Sequence, residues 1–421
     1  MNEPSVVWQP TSEPELAAAA TVGVLDEGGT GLELKRELAS GDAANKELAR
    51  DVASLAVSGG ILLVGIADAK DRDRSNPLSA LHPIPLAGIA ERVEQIALTR
   101  CDPPLFVRCV AIPSEGDPDV GYLSVQVPPS SVAPHMVEGK YWGRGDRTKR
   151  QLTDSDVVAL HDRRRLLNRD ASETLDSYIA RDPLVEAGIE PTLAHLFVVA
   201  LPRPGRPTML LDAVPQHGQW QKWLLSLIRR RANLYPPFGS KWAPDFGDAT
   251  NCTTRSDGWA ASCYDLQAGR QLASADREDH LLEIELSEDG EVRVFCGRAS
   301  AVADPGRAPD VAVLFDVLIA GLVYRSVQLA ADVAAETGYL GDWAIGVAVV
   351  GAKGGGSWIR TQDFMTTATP YPADIYTQLT RSSTLELQDR AGLVTDRLVG
   401  RMLRTLGTHD APQLAHYLGR D

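Results

Sequence analysis

From Gly31 the chain reads GLELKREL, in which Leu32 and Leu34 fall on one side and Glu33 and Lys35 on the other. That period of two predicts a half-buried strand. The polar break SGDAAN leads into NKELARDVASLAVS, where Leu48, Val52, Leu55 and Ala56 form one helical stripe. Gly59-Gly60 ends that helix, and the wholly apolar run ILLVGIAD predicts a buried central strand. The charged AKDRDRSNP is a loop, and LAGIAERVEQIALTRC aligns Ile89, Val93 and Ile96 on a second amphipathic helix. DPP breaks that helix; FVRCVAIP and VGYLSVQVP then make a pair of strands. VEGKYWGRGDRTKR starts as a strand and runs into a basic loop, after which Thr153 and Asp156 have the spacing of a capping box that opens the next helix.

Beyond Asp170 the pattern changes. A polar, partly helical stretch to Pro183 reads as a linker, LAHLFVVALP as a strand and WQKWLLSLIRRRAN as an amphipathic helix. In LLEIELSEDGEVRVFC two alternating segments flank Asp289-Gly290, which predicts a hairpin with a type I′ turn. A long buried helix (311–337), the strand WAIGVAVVG and a final helix through LQDRAGLVTDRLVGRMLRTLG complete a second α/β unit. Residues 236–265, rich in Trp, Gly, Asn, Ser and Thr, read as a long loop. The expected class is mixed α/β (α+β), divided into a poorly ordered 1–22 with a short Ala-rich turn, a first domain over 23–168, a linker over 169–183 and a second domain over 184–421.

The apolar run VAVLFDVLIAGLVY is interrupted by Asp316 and followed by Arg325, so it reads as a core helix too short and too punctuated to span a bilayer. MNEPSVVWQP has neither the basic stretch nor the apolar run of a signal peptide, and the five cysteines show no CxxC or CxxH spacing. Buried free thiols in a reducing cytoplasm, with no membrane association, are the resulting expectation.

The formal net charge of -14 argues against blanket affinity for nucleic acid. One window departs from it: from Pro134 to Arg165 eight cationic side chains, among them Lys140, Arg144, Arg147, Lys149 and Arg150, stand against five acidic ones. Arg144 and Arg147 sit in a Gly-containing loop, and Tyr141 and Trp142 are candidates to stack on a base or ribose. About four such cations on phosphates would give a salt slope of roughly −3 to −4. A core position for Trp142 and a solvated face for the charges are the competing reading. GAKGGGSW is not a P-loop, because its lysine precedes the glycines, and no H-E-x-x-H or G-x-S-x-G appears.

Three segments in order, Glu33-Leu34-Lys35, ASLAVSGGILLVGIAD (Ala53 to Asp68) and YWGRGDRTKRQL (Tyr141 to Leu152), resemble the Schlafen/AlbA-like family. The resemblance covers the N-terminal third, and the asparagine that family members carry two residues before the glycine pair is Val57 here. It implies a nucleic-acid-binding domain with DNA or RNA as partner, contacted through Lys35, Lys140, Tyr141, Trp142, Arg144, Arg147, Lys149 and Arg150, in a regulatory or defence role. Some members are ribonucleases that hold divalent metal on a carboxylate cluster. By that resemblance Glu33 and Asp68 match two catalytic and metal-binding acids, brought together at adjacent strand ends. The third position is Gly28, so Glu27 would have to supply it. No cofactor is called for unless the protein is a nuclease, which would use magnesium or manganese. A protein-interaction scaffold that binds no nucleic acid is the third alternative. The preferred nucleic acid, the existence of a homo-oligomer and the role of residues 171–421 stay open.

Overall fold

The computed structural model describes residues 10–25, 31–68, 72–73, 75–130, 132–145, 148–203, 208–211, 213–214, 219–232, 244–266, 270–272, 275–302, 312–361 and 369–420. The chain divides into two compact units, one of Met1–Leu166 with Leu340–Asp342 and the other of Leu167–Tyr339 with Trp343–Asp421. Helices and mixed sheets make up the chain, consistent with an α+β class.

The first unit is built on a five-stranded sheet of β1 (Leu32–Lys35), β2 (Gly60–Val64), β3 (Ile84–Pro85), β4 (Arg108–Ser114) and β5 (Asp117–Val127). β1 runs parallel to β2, while β5 lies antiparallel to β2, β3 and β4. β2 is apolar at every position because both its faces are covered. Leu62 and Val64 join Leu48, Val52 and Leu55 of α2 (Asp42–Leu55) and Val93 and Ile96 of α3 (Ile89–Arg100) in one core. Ile61 and Leu63 belong to a second core on the other face, shared with Leu16, Ala19 and Ala20 of α1 (Glu13–Thr21). The expectation of a poorly ordered start therefore fails for residues 13–21: the Ala-rich turn is a helix, and small side chains let it lie close against Tyr122 and Ile112.

The glycine pair has two separate duties. Gly59 turns the chain out of α2 at φ 82°, a conformation that costs other residues. Gly60 lets β2 meet the residue before β1: a Cβ there would stand 2.4 Å from the Gly31 carbonyl oxygen, which accepts the Ile61 N–H at 2.7 Å.

β6 (Met136–Val137), β7 (Lys140–Arg144) and β8 (Lys149–Gln151) form a small antiparallel sheet that follows β5. α4 (Asp154–Ala180) opens as expected, with the Asp156 carboxylate accepting the Thr153 N–H at 2.8 Å and the Thr153 hydroxyl accepting the Asp156 N–H at 3.3 Å. The linker expected over 169–183 is absent. α4 continues to Ala180, and Ala171, Leu175 and Tyr178, spaced three and four apart, enter the core of the second unit.

That core rests on a seven-stranded sheet ordered β10 (Asn251–Arg255), β11 (Gly258–Ser262), β12 (Leu282–Ser287), β13 (Val292–Cys296), β9 (His195–Arg203), β16 (Asp342–Val350) and β18 (Ile375–Ser383). Its helices include α5 (Pro183–Glu186), α6 (Trp220–Arg229), α7 (Asp316–Thr337), α8 (Trp358–Thr361), α9 (Thr384–Asp389) and α10 (Ala391–Leu406). Residues 236–265 are not one loop: their described part contains the β10–β11 hairpin, hidden in the sequence because Cys252, Thr253, Ala260 and Ser262 give weak hydropathy contrast. At Asp289-Gly290 the hairpin holds, but only Gly290 has a positive φ (87°), and Ser287 N–H reaches the Glu291 carbonyl at 3.0 Å. The loop is thus Glu288 to Gly290, a three-residue turn with glycine in the left-handed position instead of type I′.

The apolar run from Val311 splits as well. Ala312–Leu314 is a strand, β15, preceded by β14 (Ser300–Val302) and paired with β17 (Gly356–Ser357). α7 has 22 residues, enough in length and hydropathy to cross a bilayer, and sixteen of them are buried inside the unit.

Candidate nucleic-acid interface

The β7–β8 hairpin carries the basic segment, and its strand pairing fixes which side chains share a face. Trp142 pairs with Gln151, Gly143 with Arg150 and Arg144 with Lys149. Gly143 is small because Leu152 packs over it; an added Cβ would come within 2.4 Å of the Leu152 side chain.

Lys149 turns inward. Its ammonium stands 2.5 Å from Asp51 Oδ1 and also meets Glu47, both on α2. Lys35 of β1 reaches the other oxygen of Asp51 at 2.8 Å and lies 3.8 Å from Glu33. Asp51 is fully buried, so these two ammonium groups are its neutralising shell. Burial works against the charge on Lys35, but the Asp51 carboxylate beside it prevails and the pKa is raised.

Arg144, with only 7% of its side chain exposed, donates from Nη1 to Glu33 at 2.8 Å and from Nη2 to the Leu32 carbonyl at 3.2 Å. It ties the hairpin to β1. Trp142 does not stand free as a stacking platform. It packs against the α2–α3 core with the Arg50 guanidinium 5.1 Å from its ring centroid. Tyr141 is half-buried, edge-on to His161 with 6.5 Å between ring centroids.

The remaining cations are different. Lys140 is exposed and, among the described residues, has no ion-pair partner. Arg150 is 45% exposed and forms a two-pronged pair with Asp156, at 2.7 and 3.0 Å. That hydrogen bonding, from Arg150 first and then Thr153, holds the Asp156 carboxyl far below its usual range. Arg147 lies outside the described residues.

The basic segment therefore separates into two sets. Lys35, Arg144 and Lys149 assemble the domain, because a protein of net charge -14 offers a carboxylate to each of them. Lys140 and Arg150 face water. A surface pair such as Arg150–Asp156 contributes little stability and exchanges readily for another anion.

Residues 29–153 match the family model described as Schlafen, AlbA_2. Residues 29–153 form a Schlafen/AlbA-like domain. The family suggests a nucleic-acid-related function. No curated protein gives a significant match to the chain. A crystal structure of the DIP2311 protein from Corynebacterium diphtheriae aligns with 66% of this chain at 15% identity and a TM-score of 0.24. The aligned part spans 45% of that protein's length, and a superposition so loose carries no inference about fold or function.

Within the Schlafen/AlbA-like domain the acids expected for metal-dependent cleavage are placed as follows. Glu33 is held by Arg144 and Lys35, and β1–β2 pairing sets it opposite Leu62. Asp68 is an exposed residue six positions beyond Leu62, past the end of β2. Glu27 lies outside the described residues. Among the described residues no group of three or more His, Cys, Asp or Glu side chains is arranged to hold a metal ion.

Asp51, Glu47 and Arg50, which anchor the hairpin, do not stand out as site residues in the sequence. A signal was present: Asp51 falls on the apolar stripe of α2, three residues from Leu48 and four from Leu55, where an acid must find a partner.

Proposed function

We propose that the Schlafen/AlbA-like domain attaches this chain to nucleic acid through phosphate contacts from Lys140 and Arg150, with Arg147 of the intervening loop as a further sequence candidate. The observation that carries this reading is the division of the cations on β7 and β8. Arg144 and Lys149 are committed to internal carboxylates, whereas Lys140 and Arg150 stay accessible on the hairpin. Phosphate contacts of this kind give affinity without base specificity, so the reading is a backbone binder, DNA or RNA. The setting we propose is cytoplasmic, in keeping with free thiols at all five cysteines.

The test is fluorescence anisotropy of labelled single-stranded RNA, single-stranded DNA and duplex DNA at low salt. Binding that weakens as salt rises supports the reading; no binding to any of the three overturns it and favours the scaffold alternative. Adding manganese to the same mixtures and resolving products by gel reports on cleavage in the same experiment.

A further inference from the structure

The β12–β13 hairpin alternates strictly, so its two faces differ in kind. Leu282, Ile284, Leu286, Val292 and Val294 point one way into the core. The other face presents Glu283, Glu285, Glu291 and Arg293, and these carboxylates are not wet: Glu283 is 0%, Glu285 5% and Glu291 9% exposed. The C-terminal half of α4 covers the same face, where the rings of Tyr178 and Phe197 meet edge to face at 5.7 Å.

Five guanidinium groups enter this layer. Arg255 pairs with Glu283 and approaches Glu285 at 3.4 Å, and Arg270 Nε lies 2.8 Å from Glu283. Arg293 meets Glu291 at 2.6 Å and Glu285 at 3.7 Å. Arg203 and Arg181 are held loosely, at 3.8 Å from Glu291 and 4.0 Å from Glu285. Five cations thus share three buried carboxylates. Arg181 keeps 42% of its side chain in water, so the buried surplus is one positive charge, four guanidinium groups against three carboxylates, and buried charge is retained only when it is matched.

The excess borders a cavity. A cleft of about 500 Å³ is lined by Arg181, Arg203, Arg293 and Tyr178. Such a volume lies within the range of small-molecule sites. Three donors in these side chains are buried and make no hydrogen bond among the described residues: the Tyr178 hydroxyl, Arg203 Nε and Arg293 Nε. Tyr178 is itself only 2% exposed. Unsatisfied buried donors are costly, and three around one cleft are the pattern left by a missing acceptor. Two carboxylates also border the cleft, but both stand in water: Glu173 is exposed, and Asp257 is 58% exposed and 3.7 Å from Arg293.

We propose that this cleft of the second unit binds a small phosphorylated molecule, its phosphate taken by Arg181, Arg203 and Arg293 and by the Tyr178 hydroxyl. A phosphate monoester near neutral pH carries close to two negative charges, which matches the one buried surplus charge together with Arg181 at the mouth of the cleft. Guanidinium forks match phosphate oxygens two at a time. Glu173, with the hydroxyls of Thr174 and Ser177 on the next turn of α4, supplies partners for hydroxyl groups on the rest of the ligand.

The test is a calorimetric and thermal-unfolding titration of the full chain with inorganic phosphate, ionic strength held constant with sodium chloride, and with acetate in a parallel arm. The expected result is saturable binding of phosphate and a raised Tm, with acetate far weaker. Arg181→Gln and Tyr178→Phe each weaken phosphate binding by about tenfold or more, the loss of one hydrogen bond to a charged group. Tyr178→Phe removes a hydroxyl that has no partner among the described residues, so the unliganded Tm stays where it was. Lys222→Gln, at an exposed cation of α6 that does not line the cleft, leaves phosphate binding unchanged. The proposal is overturned by absence of saturable binding, by an equal response to acetate, by indifference to both cleft substitutions, or by loss of binding in Lys222→Gln.

Discussion

Lys149 Nζ stands 2.5 Å from Oδ1 of Asp51, a carboxylate with no exposed surface. With Lys35 at 2.8 Å on the other oxygen, one acid on α2 joins two strands that are more than a hundred residues apart in the chain. The pair shows that part of the basic segment is architecture.

Removing either lysine leaves the other to neutralise Asp51, whereas removing both strands a buried charge. Lys35→Met with Lys149→Met is expected to cost about 3–5 kcal/mol, more than the two single changes together. Replacing Asp51 by Leu in the double variant should recover much of that loss. Hydrogen exchange of the α2 amides reads the effect in this unit alone. Strict additivity of the single changes would contradict the shared-anchor account.

Gly60→Ala should destabilise the first unit by about 1–3 kcal/mol, because the new methyl meets a backbone carbonyl that cannot move without breaking the β1–β2 pairing. Gly59→Ala meets two costs, its φ of 82° and a Cβ 2.8 Å from the Pro129 ring, at about 1–3 kcal/mol together. Exchange rates of β2 amides distinguish them: Gly60→Ala loosens the strand end, and Gly59→Ala loosens the last turn of α2.

In the second unit His195 of β9 is buried between Asp182 Oδ2 at 2.5 Å and Glu278 Oε1 at 3.0 Å. Burial alone would discharge the ring, but the two carboxylates prevail and raise its pKa from 6.5 to about 8. The folded pKa lies above the unfolded one, so this contribution is complete below about pH 6.5 and is lost as pH rises through about 8. It amounts to about 2 kcal/mol. Urea unfolding between pH 6 and pH 9 should show that decline, and His195→Gln should flatten it. A histidine variant with an unchanged pH profile would sink the assignment.

Much of the fold was legible where hydropathy contrast is strong. ILLV between a glycine pair and a charged loop could only be a covered strand, and the alternation on either side of Asp289-Gly290 gave the hairpin. The α4 continuation was not, because Ala171, Leu175 and Tyr178 are sparse among charged neighbours and read as a polar connection. The β10–β11 hairpin escaped notice for the same lack of contrast. The site was legible as a set of cations and not as a geometry: composition counts Lys149 and Lys140 alike, and only the packing of α2 against the hairpin shows that one of them is already engaged.

The same α2 packing fixes where phosphate sensitivity should reside. The slope of log Kobs against log salt for a short single-stranded oligonucleotide counts the cations that meet phosphate. Lys140→Gln and Arg150→Gln, measured by anisotropy in the full chain, should each reduce that slope by roughly 0.7–1 and weaken binding uniformly across sequences. An unchanged slope in both variants, or no salt-dependent binding by the wild-type chain, would contradict the account.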